Sequence, residues 1–160
     1  RQKQLYSDEV LGNFDLDLPE QRFDTEAVWY PIPMELVTRL EANGLDLAGG
    51  VHALEHASIS LLPLFALCDR NDIGGVSTPY HQQVGGPAIF VHDAHPGGVG
   101  IAETGYRQIE EWLSATKTLL EECPCESGCP SCIQSPKCGN NNEPLDKAAA
   151  RMILRYLTKG

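Results

Sequence analysis

Apolar and polar positions alternate through residues 1–32, around Leu5, Val10, Phe14, Leu16 and Leu18 and then Phe23, Ala27, Val28, Trp29 and Tyr30. A period of two marks half-buried strands, and Pro19 and Pro31 are suited to ending them, so two or three strands are predicted here. The period then lengthens. Met34, Leu36, Val37 and Leu40 share one face of a short helix over 34–43, closed by Gly44. A second helix is predicted from about Leu47 to Leu67. It is apolar almost all round from Ala57 onward, which marks a central core element, and Pro63 should kink it.

The stretch from Cys68 to Ser77, with Asp69, Arg70, Asp72, Gly74 and Gly75, reads as a polar turn, and residues 78–86 read as a loop. Residues 87–93 form a short apolar run expected to be a buried strand. A glycine-rich turn through Gly97, Gly98 and Gly100 leads to a helix from about Ile101 to Glu121, with Ile109, Trp112, Leu113, Thr116, Leu119 and Leu120 able to face the core. A strand, a glycine turn and a helix N-terminus can cradle a phosphate, but the spacing matches neither the Walker loop nor the dinucleotide fingerprint. A tight turn that packs the helix on the strand is the simpler reading. After a polar linker over 140–143, Pro144 suits the first position of a final helix running to about Leu157, with Leu145, Ala149, Met152, Ile153 and Tyr156 inward. The pattern predicts an α+β fold in one domain: an α/β core over 1–122, a cysteine-rich segment over 123–142, and a C-terminal helix over 143–160 packing back on the core.

That cysteine-rich segment carries the strongest chemical signal. Five of the six cysteines, Cys123, Cys125, Cys129, Cys132 and Cys138, fall within sixteen residues, while Cys68 lies apart in an apolar run and reads as a buried thiol. Closely spaced thiolates on short turns can reach the corners of a tetrahedron around a borderline-soft cation, and Gly128, Pro130, Pro136 and Gly139 supply the turns. The expectation is a zinc knuckle. Cys129, Cys132 and Cys138 belong to the ligand set in either of two versions. In an extended Cys-Pro-Cys the two side chains point to opposite faces, so one of Cys123 and Cys125 is a spare; Cys123 is preferred, with Cys125 as its alternate. The spacing Cys-x2-Cys-x5-Cys also occurs in iron–sulfur ligation, which spacing alone does not separate from zinc. Disulfides are disfavoured, because no signal sequence is present and a chain of 160 residues can hold a core without them.

The charge then narrows the partners. With 12 basic against 22 acidic residues the net charge is −10, which argues against a domain that grips nucleic acid on its own. Basic character is local, around Lys137, Lys147, Arg151, Arg155 and Lys159, so any DNA contact is expected to be weak and to involve Lys137, Lys147, Arg151 and Arg155. The longest apolar run, near Ala57 to Cys68, is too short to span a membrane and contains Pro63, and a soluble, cytoplasmic chain is expected. The start at Arg1 suggests a piece of a longer protein. His52 and His56 lie four apart on one helical face and can in principle chelate a metal, but with no third ligand nearby in sequence they read as structural. His92, Asp93 and His95 offer an alternative of another class, a metal-dependent hydrolase.

Taken in order, Trp29-Tyr30, Leu54-Glu-His56, Cys68 through Gly75, Ile89 through Asp93 with Gly97-Gly98-Val-Gly100, and above all the cysteine segment through Gly139-Asn140 resemble the MZB domain. This is the zinc-binding C-terminal domain of MrfA-like superfamily-two DNA helicases, and the resemblance runs from about Trp29 to Leu157. It implies a parent that hydrolyses ATP in RecA-like motor domains, translocates 3′ to 5′ on single-stranded DNA and acts in DNA repair. The present chain holds no Walker lysine loop and no DExH box, so it is expected not to be catalytic by itself. The resemblance also implies zinc on four cysteines, placed here on Cys123, Cys129, Cys132 and Cys138.

Overall fold

The computed structural model describes residues 2–4, 6–7, 9–13 and 19–159. Leu5, Phe14, Leu16 and Leu18, which the alternation pattern assigned to strands, lie outside them. At the N-terminus β1 (Gln2–Lys3) and β2 (Val10–Gly12) pair antiparallel as a small separate ribbon. The main sheet has three strands in the order β3 (Ala27–Pro31), β5 (Gly86–Asp93), β4 (Ile73–His81), all antiparallel. With five α-helices among the described residues, the fold is α+β.

Helix α1 (Met34–Ala42) buries Leu36, Val37 and Leu40 and frees its C-terminal turn through Gly44 at φ 67°. Helix α2 (Leu47–Leu61) is the centre of the molecule. Its N-terminus is capped by Asp46, whose carboxylate accepts from the amides of Ala48 and Gly49 at 3.1 and 3.0 Å. One face of α2 lies on β4 and β5, and the other meets α4 (Ile109–Glu122) and α5 (Lys147–Leu157). Gly50 is where α2 and α5 cross: a Cβ there would sit 2.6 Å from that of Ala149. Trp112 on α4 is fully buried and donates from its indole N–H to the Ser58 carbonyl at 2.9 Å, so the largest core side chain leaves no polar atom unpaired.

Four expected elements take a different form. The helix from Leu47 does not run kinked to Leu67. It stops at Leu61 and tightens into a 3-10 turn over Leu62–Leu64, since Pro63 supplies no amide and its ring crowds the preceding turn. The polar turn and loop assigned to 68–86 contain strand β4, because Gly74 and Gly75 leave room for side chains of neighbouring elements. A Cβ at Gly74 would collide with the His92 imidazole, and one at Gly75 would lie 2.8 Å from a Glu55 carboxylate oxygen. The helix expected over 101–121 is two, α3 (Ile101–Arg107) and α4, broken at Gln108 (φ −116°, ψ 29°), where Gly105 packs against Leu62 and Trp112. The last helix begins at Lys147 instead of Pro144, because the Asp146 carboxylate caps it by accepting from the Ala149 amide at 2.8 Å.

Candidate metal centre

Helix α4 delivers Cys123 as its C-terminal cap, in extended geometry at φ −66°, ψ 120°. The segment then folds back through Gly128 (φ 117°), where a Cβ would run into the Ile133 side chain. The Cys129 carbonyl accepts from the amides of Cys132, Ile133 and Gln134 at 3.0, 3.2 and 3.1 Å, a tight turn that brings Cys129 and Cys132 to the same side. Buried Ile133 anchors this turn in the core beside Cys132.

The consequence is a cluster of four sulfurs: Cys123, Cys125, Cys129 and Cys132, with ligand atoms within 4.8 Å of one another. The neighbouring S···S distances are 3.6 Å (Cys123 to Cys125), 3.5 Å (Cys123 to Cys129), 3.4 Å (Cys125 to Cys132) and 3.7 Å (Cys129 to Cys132). Disulfide sulfurs stand about 2.05 Å apart, and all six cysteines are free. A tetrahedron with metal–sulfur bonds of about 2.3 Å has edges of about 3.8 Å, close to this arrangement. The donor set therefore fits a single ion of zinc type.

This quartet differs from the expected one in its composition. Cys125 joins the cluster and Cys138 does not. The expectation treated the Cys123-Pro124-Cys125 stretch as a strand, in which side chains two apart oppose each other. Proline holds φ near −65°, and in a polyproline-like turn of three residues side chains two apart are rotated by about 120°, so both can face one centre.

Lys147 completes the first cluster. Its side chain is 3% exposed, and its ammonium donates to the carbonyls of Cys123 and Cys125 at 2.8 and 2.7 Å and reaches the Cys125 sulfur at 3.1 Å. Burial works against a thiolate at Cys125, but hydrogen bonds from Lys147 and from the other three cysteines outweigh it and bring the thiol down to about 6. Burial pushes the Cys132 thiol up to about 12. One thiolate is thus favoured by the protein alone, and a bound dication supplies the charge that lets the others ionise. Lys147 is accordingly withdrawn from the basic stripe predicted for DNA: a buried ammonium spent on the knuckle does not reach a phosphate.

The remaining predicted contacts scatter. Lys137 donates to the carbonyls of Arg70 and Ile73 at 2.8 and 3.1 Å. Arg155 is exposed and pairs with Glu121 at 2.8 Å. Arg151 is half-buried, with its Nε lacking a hydrogen-bond partner.

Nor do His92, Asp93 and His95 converge. Asp93 is fully buried, and its carboxylate accepts from the amides of Val99, Ile101 and Ala102 at 2.5, 3.2 and 2.7 Å. The amides of the glycine turn that were candidates for a phosphate are thereby occupied by the chain's own carboxylate. His95 Nε2 lies 2.9 Å from Asp72, whose carboxyl that hydrogen bond holds below its ordinary range, and the His92 ring faces a different cleft. The structure gives the hydrolase alternative no shared centre.

Cys138 lies with His52 and His56, its sulfur 3.4 Å from His52 Nε2. The third partner that the histidine pair lacked nearby in sequence comes from 86 residues away. The four-apart histidine spacing was the signal, but nothing local identified Cys138 as its complement.

The MrfA Zn-binding domain model matches residues 54–133, half of the chain. The chain belongs to this family. The matched segment of the MrfA Zn-binding domain contains all four clustered cysteines and ends before Cys138. The ATP-dependent helicase YprA of Bacillus subtilis is 36% identical over 78% of this chain, which spans 16% of that helicase. The protein MJ1572.1 of Methanocaldococcus jannaschii is 40% identical over 67% of this chain and is covered over 98% of its own length. Among solved structures, the DUF1998 helicase MrfA bound to DNA superposes with a TM-score of 0.61 at 30% identity, over 95% of this chain and 19% of the helicase. The chain thus spans less than a fifth of the helicases it matches.

Proposed function

We propose that this MrfA Zn-binding domain serves as a zinc-stabilised accessory lobe of an ATP-dependent 3′–5′ DNA helicase acting in DNA repair. In this reading it docks beside the RecA-like motor domains and helps guide single-stranded DNA, and the chemistry of ATP hydrolysis belongs to the motor. The observation that carries the reading is the convergence of Cys123, Cys125, Cys129 and Cys132 at tetrahedral spacing, at the junction of α4 with the start of α5. Zinc on these four thiolates ties the end of one helix to the Lys147 end of the other and makes the lobe rigid. The S···S distances of 3.4–3.7 Å favour a single ion over an iron–sulfur cluster, in which the four thiolates would be divided between two or four irons and spread farther apart. Net charge of −10 supports docking on a basic motor with only local DNA contact, for which exposed Arg155 and its neighbour Arg151 are the candidates.

The test is elemental analysis and a visible spectrum of the anaerobically purified chain and its Cys125→Ser variant, with binding of single-stranded DNA followed against salt. Zinc, no visible absorption, loss of zinc from this cluster in Cys125→Ser and weak, salt-sensitive DNA binding are expected. Iron with a brown chromophore, or unchanged zinc in the variant, overturns the assignment.

A further inference from the structure

His52 and His56 occupy successive turns of α2, with their rings 4.4 Å apart at 64°. Each ring is held by a main-chain carbonyl through Nδ1: His52 by Pro144 at 2.8 Å and His56 by Ile133 at 2.7 Å. A carbonyl only accepts, so both Nδ1 atoms carry the proton and both Nε2 atoms are left with a lone pair. Fixing a neutral tautomer by a carbonyl behind the ring is the usual support for a metal-binding histidine. Cys138 faces this pair, its sulfur 3.4 Å from His52 Nε2, and all three donors lie within 4.8 Å of one another.

The supports are themselves tied to the knuckle and its linker. Pro144 precedes the Asp146 cap of α5, Ile133 anchors the turn below Cys132, and the Cys138 sulfur accepts from the Asn142 amide at 3.3 Å. Asn142 is pinned in turn by its side chain, which accepts from the Ser135 amide at 2.7 Å and donates to the Ser135 carbonyl at 3.1 Å. The remaining side of the trio opens on a cleft of about 550 Å³ between α2, β4 and the knuckle, lined also by Glu55, Ser77 and His92.

We infer that His52 Nε2, His56 Nε2 and Cys138 Sγ form a second metal site, separate from the four-thiol cluster, for a borderline-soft divalent cation of zinc type. Two imidazoles and one thiolate match that class of ion, and three protein ligands leave a fourth position, directed at the cleft, for water or another small ligand. Binding through the Nε2 lone pairs of the two imidazoles, each with its proton on Nδ1, releases the Cys138 thiol proton to solvent. The alternative for the same three residues is a hydrogen bond from the Cys138 thiol to His52, which binds no ion.

The experiment is a metal count on the 160-residue chain. The chain is stripped with chelator under reducing conditions, reloaded with zinc, desalted and analysed, with a parallel cobalt(II) titration read by its thiolate charge-transfer absorption. Wild type should hold two zinc ions, and Cys138→Ser and His52→Gln one each, both with unchanged far-UV circular dichroism. Cys125→Ser should lose the other ion and keep the His52-dependent one. The cobalt difference spectrum between wild type and Cys138→Ser should show tetrahedral binding by few thiolates. One zinc per wild-type chain, retained in Cys138→Ser and His52→Gln, overturns the inference. So does a single zinc lost in Cys138→Ser but retained in His52→Gln, which would return Cys138 to the knuckle. If Cys138→Ser does not fold, His52→Gln decides, because it keeps a polar side chain of similar length. A count that falls only with the histidine and Cys138 substitutions would defeat the four-thiol assignment and leave this site standing.

Discussion

The two clusters lie on either side of the same short segment and are built in opposite ways. Cys123, Cys125, Cys129 and Cys132 come from ten consecutive residues held by turns, with one buried lysine reaching the Cys125 sulfur. His52, His56 and Cys138 are drawn from a core helix and a loop 86 residues apart, and each histidine is already oriented by a carbonyl. The first arrangement has its turns, Ile133 and Lys147 to shape it, but it brings four sulfurs together where only a shared ion lets the thiolates ionise side by side. The second takes its two histidines from the core helix α2, which packs in the centre of the molecule without an ion. Metal binding should therefore be folding energy at the first cluster and a modest addition at the second.

The largest expected effect tests that asymmetry directly. Cys132 is 3% exposed and adjoins the core through Ile133, so Cys132→Ser should release the first ion and leave a hydroxyl among unpaired thiols. We expect a loss of at least about 3 kcal/mol, a fall in melting temperature of roughly 6 °C or more at this chain length. Cys138→Ser should cost about 1 kcal/mol or less. Thermal melts of both variants, each with saturating zinc and with chelator, check the pair. Equal falls would erase the distinction between an ion that makes its site and an ion that enters one.

An intermediate effect is expected at Lys147. Its ammonium serves two knuckle carbonyls and the Cys125 sulfur from inside the protein, so Lys147→Met removes the donor and keeps the stem. About 1–3 kcal/mol should be lost through unsatisfied acceptors, and zinc affinity at the four-thiol cluster should fall about 10–100-fold, as when a supporting residue behind metal ligands is removed. Competition with a chromophoric chelator measures this. The His52 cluster should keep its affinity; a parallel fall there would mean that Lys147 supports the whole segment and not one site.

The same division explains what the sequence revealed. Features written locally were legible: the amphipathic α1 with Gly44, the apolar run of α2, the buried β5, and a metal knuckle signalled by cysteines and turn residues. Features that depend on distant partners were not. Gly74 and Gly75 look like a turn until His92 and Glu55 are seen to fill the space their missing side chains leave. Lys147 looks like part of a basic face until the knuckle carbonyls are placed around it. Cys138 has knuckle spacing, and only the position of α2 shows that it lies with the histidines. Pro124 hides the Cys123–Cys125 pairing in the same way, because alternation holds for flat strands and proline imposes a three-fold turn.

The smallest effect is expected at Cys68, which belongs to neither cluster. It packs partly buried against the core. Burial raises its thiol above the ordinary range, and Asp72, Asp69 and Asp93 add to the rise, so it is a poor nucleophile as well as a distant one. Cys68→Ala should remove only the sulfur's packing, about 1 kcal/mol or less, and leave both metals bound. Alkylation of the metal-free chain, followed by mass spectrometry, should label the four cluster cysteines early, since losing the ion loosens their turns, and Cys68 late. If Cys68→Ala lowers the metal count, a sulfur outside both clusters takes part in binding, and the division into one turn-built site and one core-built site is incomplete.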